Sequence, residues 1–513
     1  MNKSKTSPRA ALNAQQVLSS KTDTSQLKRT AVRGGAAVLF SQGFGSALQL
    51  GTLLVLARIL SPADYGLQAM VLTLTNLVSL LKDAGLNFST VNRETLTDEE
   101  ISTLFWINAA LGLSLTLIVA GLSFVLVVFY KDPRLFWITI ASSSIFFLNG
   151  LAVQHRALLD RSLRFTTNAT IDTLSAIFGT VVAIVMAAMG CGYWALICQN
   201  ISLSLFTVVM VWMAIPWLPG RPHWTPETRS MVRAGGTVTL NGIVVYFAYN
   251  TEKILLGRAW GPSPLGIYGR AYQLANLPVQ QLTNAVSGVA FPVLSRLQSD
   301  PPRLRRIYLR SHSLVVSLTV PVVLCCALFS DELVRTLLGP KWIPTAPVLR
   351  LLSPAVMVFA LMNPMSALVR ATGRVERSLK IAFILAPVII LGVALGLRYG
   401  PVGVATGYSA AMLLLWIPCV AWAKHGTGVT AGDYLDCIWR PLMAGLVAAA
   451  AGWVFRYYCH DLVLPGVLLV MELVVSFGLY ALLLLFAMDQ WKVYRDLFLQ
   501  FRASKSDAAV SVS

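Results

Sequence analysis

The sequence predicts an all-α polytopic membrane protein with about 14 transmembrane helices. Two parallel six-helix repeats are expected to form two lobes around a central cavity, with two extra C-terminal helices after them. Three observations indicate this class. Charged residues make up 12% of the 513 residues and hydrophobic residues 56%, whereas soluble domains average about 25% charged residues. Long apolar runs recur along the chain, and one polar turn occurs twice.

The apolar runs give the number of helices. A membrane-spanning helix needs about 20 mostly apolar residues, and fourteen runs approach this length. They lie at 34–57, 66–86, 102–129, 135–153, 167–189, 193–215, 232–251, 264–290, 310–330, 346–369, 379–398, 401–422, 438–455 and 463–487. The flanking segments 1–30 and 491–513 are expected to be cytoplasmic tails, the first of them disordered.

The basic residues predict the orientation of the helices. Cytoplasmic loops of membrane proteins are enriched in Lys and Arg, and four alternate gaps between the runs hold three to five of them each. These gaps are 154–165, 219–233, 295–310 and 370–380. The pattern places both termini in the cytoplasm, although it also places one basic segment, 338–350, outside. We attribute the net charge of +18 to this topology and not to nucleic-acid binding.

A repeated turn relates the two halves of the chain. Residues 57–66 read ARILSPADYG and residues 257–266 read GRAWGPSPLG, so Arg58, Pro62 and Gly66 each recur 200 positions later. Six predicted helices separate the copies. An even number returns the chain to the same side of the membrane, which is typical of parallel repeats.

The register of this repeat sets the predicted domain boundaries. At the same spacing, residues 32–77 and 232–277 share eleven identities. We therefore assign 31–218 to an N-lobe with the first six helices and 219–425 to a C-lobe with the next six. Residues 426–490 hold the last two helices.

Small residues predict close contacts between helices. Gly43, Ala47 and Gly51 share one face of the first helix, and Gly403 and Gly407 share one face of the twelfth. Because small side chains let two backbones approach, both faces are expected to pack tightly against neighbours.

Polar residues on two helices indicate the predicted cavity. At 100° per residue, one arc of the eighth run carries Arg270, Gln273, Asn276, Gln280 and Asn284. A similar arc of the second run carries Asn76, Lys82 and Asp83 among other polar residues. Arg270 needs water or a counter-charge inside a membrane, which favours a water-filled cavity. Hydrogen bonding between packed helices, on average about 0.6 kcal/mol per bond, is the alternative.

No catalytic motif is present in the sequence, so we predict that the chain is not an enzyme. It contains no GxxxxGK[ST] phosphate loop, no GxSxG, no HExxH and no Cys/His cluster. We therefore expect no metal site and no cofactor. Whether H⁺ or Na⁺ serves as a coupling ion stays open.

Longer motifs resemble a family of membrane transporters. The segment LARILSPADYGLQAMV at 56–71, with 250–282, 291–310 and 337–353, resembles the Wzx-type polysaccharide flippases. These form the polysaccharide-transport branch of the multidrug/oligosaccharidyl-lipid/polysaccharide exporter superfamily. The family's Asn-x-Asp pattern at the end of the seventh helix is Asn250–Thr251–Glu252 here, which keeps the charge but adds one methylene.

The resemblance implies a function and a substrate site. It implies a V-shaped central cavity and alternating access. The implied cargo is an undecaprenyl-pyrophosphate-linked oligosaccharide, moved to the outer leaflet of a bacterial inner membrane. Arg270 is then expected to hold the pyrophosphate, and the amides of its stripe to line the glycan path. The remaining candidate substrate-binding residues are Asn76, Lys82, Asp83, Asn250 and Glu252.

The same resemblance implies partners. Membrane lipids surround the chain, and a polysaccharide polymerase and export machinery are expected to work with it. No nucleic acid is expected.

Two other functions stay open. A drug or organic-cation antiporter of the same fold would need an acidic cavity to bind cations. The two stripes instead contain two basic residues, Arg270 and Lys82, and one acidic residue, Asp83. A membrane-embedded polysaccharide polymerase or ligase would typically carry a large periplasmic loop, and the longest outer gap is too short to form a domain.

Overall fold

The computed structural model describes residues 24–82, 97–222, 246, 250–297, 300–371, 375–425, 429–459 and 465–488. All regular secondary structure in these ranges is helical, which confirms the predicted all-α class. The helices up to residue 260 are α1 (Thr24–Ile59), α2 (Pro62–Lys82), α3 (Asp98–Gly121), α4 (Ser123–Tyr130), α5 (Arg134–Arg161), α6 (Phe165–Ala188), α7 (Trp194–Ala214) and α8 (250–260).

The later helices follow the same pattern of long spans and short connections. They are α9 (Pro262–Arg296), α10 (Pro301–Leu328), α11 (Thr345–Ala371), α12 (Val375–Gly396), α13 (Gly400–Lys424), α14 (Ala431–Cys459) and α15 (Pro465–Leu482). Short helical turns connect or extend them at Ser330–Leu333, Val334–Leu338, Pro340–Trp342, Leu397–Tyr399 and Leu483–Ala487.

The chain is a multi-pass membrane protein. Within the described ranges, nine segments are long and apolar enough to cross a membrane. The nine do not include α1, α2 or α9, and α12 and α13 join into one candidate, Phe383–Trp422. The predicted run 232–251 lies mostly outside the described residues. Within the described residues, each of the other predicted runs overlaps one long helix, except 102–129, which is divided between α3 and α4.

The chain divides into two compact units, Met1–Gly266 and Ile267–Ser513. In the first unit, hydroxyl groups join α1 to α6: Ser41 Oγ lies 2.9 Å from Thr173 Oγ1, and Thr52 Oγ1 lies 3.1 Å from Thr180 Oγ1. Both pairs have nearly the same sequence separation, so the two helices run parallel. The predicted lobe boundaries at 218 and 425 stay predictions.

In the second unit, α14 packs in parallel along α10. Arg305 donates to both carboxylate oxygens of Asp433 at 2.9 and 2.6 Å. Further along, Arg456 Nη1 donates to the carbonyl of Leu328 at 3.1 Å with the same separation of 128 residues. The first of the two C-terminal helices is therefore part of this unit's helix packing.

The two predicted small-residue faces behave differently. On α12 and α13, a Cβ on Gly407 would overlap the carbonyl oxygen of Gly392, so these backbones touch as predicted. On α1, a Cβ on Gly43 or Gly51 would meet no described atom within 4 Å. The close contact expected for the α1 face is therefore not present among the described residues.

An ion pair joins Asp132, in the turn after α4, to Arg134, the first residue of α5. Arg134 Nε donates to Asp132 Oδ1 at 3.0 Å, and Nη2 donates to Oδ2 at 2.7 Å. The Arg134 backbone N–H also donates to Oδ1 at 3.0 Å. These interactions, the side-chain hydrogen bond above all, lower the pKa of Asp132 although burial opposes them.

The Asp132→Asn variant is expected to lose stability less steeply at acidic pH than the wild type. The folded-state pKa of Asp132 lies below its unfolded value. The ion pair therefore stabilises the fold above the unfolded pKa, and this contribution is lost as pH falls through the folded pKa. Thermal unfolding of detergent-solubilised protein from neutral to acidic pH measures the slope. The control Arg134→Ala should flatten it in the same way, and wild-type slopes in both variants would contradict the assignment.

Candidate functional site

The candidate residues divide between the two units. Asn76, Lys82, Asn250 and Glu252 lie in the first unit, while the five residues of the α9 stripe lie in the second. Asp83 lies outside the described residues, and of Lys82 only the backbone position, at the end of α2, is described.

A charged and polar group lies at Asn250–Lys253 in the described part of α8. Glu252 is 1% exposed, and its Oε1 lies 3.8 Å from Lys253 Nζ. The same ammonium group donates to Asn250 Oδ1 at 2.9 Å. Asn250 in turn donates through Nδ2 to the carbonyl of Tyr246 at 3.0 Å. One lysine therefore joins the two candidates of the Asn-x-Glu motif.

The second carboxylate oxygen of Glu252 is available as an acceptor. Oε2 is buried and has no hydrogen-bond partner within the described protein. A buried acceptor without a partner costs free energy, so structures retain one where a ligand or water can supply the missing donor. A sugar hydroxyl, an ammonium or water would satisfy it.

Tyr246 connects this group to α2. Its hydroxyl donates to the carbonyl of Thr73 at 2.6 Å. Thr73 and Asn76 lie three residues apart, which places them on the same side of a helix, and Asn76 is exposed. The structure thus links the segment that carries the Asn250–Glu252 motif to the backbone of α2 at Thr73.

Tyr246 and Lys253 were not among the residues proposed from sequence. Tyr246 lies in the tyrosine-containing stretch VVYFAYNTEK, and buried tyrosine hydroxyls generally need a partner. The tyrosines of this stretch are therefore the sequence feature that could have indicated a hydrogen bond to another helix. The partner itself, a backbone carbonyl 173 residues away, cannot be read from the sequence.

The α9 stripe is amphipathic as predicted. Arg270, Gln273 and Asn276 are half-buried, and Gln280 and Asn284 are exposed. The other face is buried, with Ala271, Leu274, Ala275, Val279 and Thr283 at most 8% exposed. The amide oxygen of Asn276 is buried without a hydrogen-bond partner in the described residues.

The chemistry of this stripe suits an anionic, hydroxyl-rich ligand. A guanidinium group forms paired, charge-assisted hydrogen bonds with phosphate oxygens. Carboxamides both donate and accept hydrogen bonds, which matches sugar hydroxyls. The order along α9, one cation followed by four amides over four turns, would suit a ligand with one charged end.

Met70 occupies the repeat position equivalent to Arg270. It is 1% exposed, and its methyl group would lie 3.3 Å from a Cβ on Gly257. This position in α2 therefore serves packing, which explains why the two halves differ in charge at equivalent sites.

The chain is similar to known proteins over most of its length. A family model described as polysaccharide biosynthesis protein matches residues 55–347. The lipopolysaccharide biosynthesis protein WzxC of Escherichia coli (strain K12) is 26% identical over 410 residues, which cover 78% of this chain and 82% of that protein. The succinoglycan biosynthesis transport protein ExoT of Rhizobium meliloti (strain 1021) is 25% identical over 333 residues, covering 65% and 67%.

A solved structure shares the fold. The lipid II flippase MurJ in an inward closed conformation superimposes with a TM-score of 0.70, covering 90% of this chain and 99% of that chain. Because the sequence identity is 14%, this likeness supports the helical membrane fold and carries no residue roles.

Proposed function

Since the chain belongs to the polysaccharide biosynthesis protein family, whose model matches more than half of it, we propose that it is a flippase for lipid-linked oligosaccharides. It translocates undecaprenyl-pyrophosphate-linked repeat units across the bacterial inner membrane by alternating access. The product feeds exopolysaccharide, lipopolysaccharide or capsule biosynthesis. The observation that carries the proposal is the α9 stripe, with Arg270 followed by four amide side chains opposite a buried apolar face.

The proposed cargo has three parts, and each needs a different surface. The pyrophosphate is anionic and pairs with Arg270, for which a planar guanidinium is better suited than an ammonium. The glycan binds Gln273, Asn276, Gln280 and Asn284 through its hydroxyls. The polyprenyl chain stays in the lipid, because exposure of its apolar surface to water would be unfavourable.

The candidates of the first unit take complementary roles. Asn76 and Asn250 offer amides to the glycan, and Glu252 Oε2 accepts from a sugar hydroxyl. Lys82 and the residue that follows it in the sequence, Asp83, add one charge of each sign. Lys82 would contact the phosphate, whereas Asp83 would accept from the sugar.

A cation antiporter is the second candidate, and the buried Glu252 is the observation that favours it. An acid in a low-dielectric position attracts cations. However, Lys253 lies 3.8 Å away and already offsets its charge. Growth of a deletion strain in cationic dyes, with and without the gene, separates the two functions, and we expect no difference in dye resistance.

The cellular setting follows from the proposed cargo. We place the chain in the bacterial inner membrane with both termini in the cytoplasm, where the lipid-linked units are made. A polysaccharide polymerase and export machinery then receive the flipped units. The chain acts as a transporter and not as an enzyme.

A transport assay tests the function directly. The full chain is reconstituted into liposomes that carry a fluorescent undecaprenyl-pyrophosphate oligosaccharide, and a membrane-impermeant reagent quenches the outer leaflet. Vesicles with protein should lose the protected fluorescence of the inner leaflet, and protein-free vesicles should keep it. A fluorescent phospholipid is the control cargo and should stay protected. Equal protection of the oligosaccharide with and without protein would reject the proposal.

A further inference from the structure

The two copies of the repeated turn contact each other within the first unit. α2 begins at Pro62 and α9 at Pro262, and a glycine follows four residues later in both. A Cβ on Gly66 would overlap the carbonyl oxygen of Pro262, and a Cβ on Gly266 would overlap that of Pro62. The Gly266 Cβ position also lies 3.1 Å from the backbone nitrogen of Gly66. We call this reciprocal contact the glycine crossing.

The reciprocity makes the contact specific to the repeat. Each turn presents the same two residues, proline carbonyl and glycine, to the other turn, as in a two-fold symmetric interface. Because neither glycine carries a Cβ, the helices meet backbone to backbone. The hydrogen that replaces each Cβ points toward a carbonyl oxygen, which is the arrangement of a weak Cα–H···O contact.

Each turn also has hydrogen bonds within its own copy. Ser61 caps α2: its N–H and hydroxyl donate to Asp64 Oδ2 at 2.9 and 2.6 Å, and its Oγ accepts the Asp64 N–H at 3.3 Å. In the other copy, Gly261 has a φ of 79° and donates to the carbonyl of Gly257 at 3.0 Å. A proline then opens the helix, where its missing N–H costs nothing. These hydrogen bonds survive separation of the turns.

Building on the proposed function, we propose that the glycine crossing is a closure point of the transport cycle. The first turns of α2 and α9 touch in one state and separate in another. Alternating access requires contacts that form and break repeatedly, and packed backbone with weak Cα–H···O contacts meets this need, because each such contact contributes little. Glycine is required at both positions because any side chain would hold the turns apart.

Distance measurements on the full chain test the crossing. Spin labels are attached at Ile59→Cys and Ala259→Cys, two exposed positions near the ends of α1 and α8, after replacement of the seven native cysteines. The wild type should show a short and a longer distance. Gly66→Ala and Gly266→Ala should each raise the ratio of long to short at least about tenfold, which corresponds to about 1.4 kcal/mol.

A matched control lies on the same helix. Gly269 is three residues after Gly266, and a Cβ there would meet nothing within 4 Å, so Gly269→Ala should leave the distances unchanged. If Gly266→Ala fails to fold, the distances in the wild type and in Gly66→Ala still test the proposed closure point. One invariant distance in the wild type, or equal distributions in Gly66→Ala and Gly269→Ala, overturns the closure point.

This measurement needs no cargo, so it is separate from the test of the proposed function. Turns that separate in a chain that does not flip the lipid-linked oligosaccharide would reject the function and retain the crossing. A chain that flips the lipid-linked oligosaccharide but shows one invariant spin-label distance would retain the proposed function and reject the closure point.

Discussion

Arg270→Ala is expected to abolish polysaccharide export in a flippase-deficient strain while leaving insertion into the membrane intact. Removal of the guanidinium deletes charge-assisted hydrogen bonds worth about 1.5–3 kcal/mol each. Loss of one such bond corresponds to roughly a tenfold or larger loss of affinity, and a pyrophosphate offers several acceptors. Export is measured as surface polysaccharide, and insertion as the amount of full-length protein in the membrane fraction.

Two further variants distinguish phosphate binding from a general need for a polar residue. Arg270→Lys keeps the charge but loses the planar pair of donors, so it should export at an intermediate level. Arg398→Ala removes an exposed arginine from the turn Leu397–Tyr399 and should export normally. Normal export by Arg270→Ala, or equal loss in Arg270→Ala and Arg398→Ala, would contradict the assigned role.

The α9 stripe was predictable because the information is local. The helical period of 3.6 residues sorts polar and apolar side chains onto two faces, and the sorting needs no knowledge of neighbours. Leu274, Ala275 and Val279 accordingly form the buried face. Which polar residues bind the cargo stays a prediction, because binding depends on groups that other helices contribute.

The small-residue faces show where such local information ends. The same spacing of small residues occurs at Gly43–Gly51 and at Gly403–Gly407, yet only the second face touches another backbone among the described residues. Small residues permit a close approach but do not select a partner. The glycine crossing is a further example, since the repeat gave the equivalence of Gly66 and Gly266 but not their contact.

Charge pairs could be predicted only in part. The segment 338–350 is basic yet falls on the side predicted to be outside, with Asp331 nearby to balance it. The structure pairs Arg350 with Asp331 at 2.6 Å. The second partner of Asp331, Arg456, comes from α14 more than a hundred residues later. Pairing over such a separation depends on helix packing, which single-sequence patterns do not encode.

Arg456→Ala is expected to lower the free energy of unfolding by about 3 kcal/mol, near the lower end of the range for broken buried ion pairs. Arg456 Nη2 lies 2.8 Å from Glu332 Oε1, and the Glu332 side chain is only 7% exposed. The other carboxylate oxygen, Oε2, has no hydrogen-bond partner in the described residues. Removal of Arg456 would therefore leave a buried carboxylate without its cation, and would also free the carbonyl of Leu328.

Two companion variants test this explanation by SDS titration in mixed micelles. Arg350→Ala breaks a pair whose side chains are 50% and 44% exposed, and exposed pairs contribute at most about 1 kcal/mol. The double variant Arg456→Ala with Glu332→Gln removes the stranded charge, so it should recover part of the lost stability. An equal cost for Arg350→Ala and Arg456→Ala, or no recovery in the double variant, would show that burial of Glu332 is not the cause.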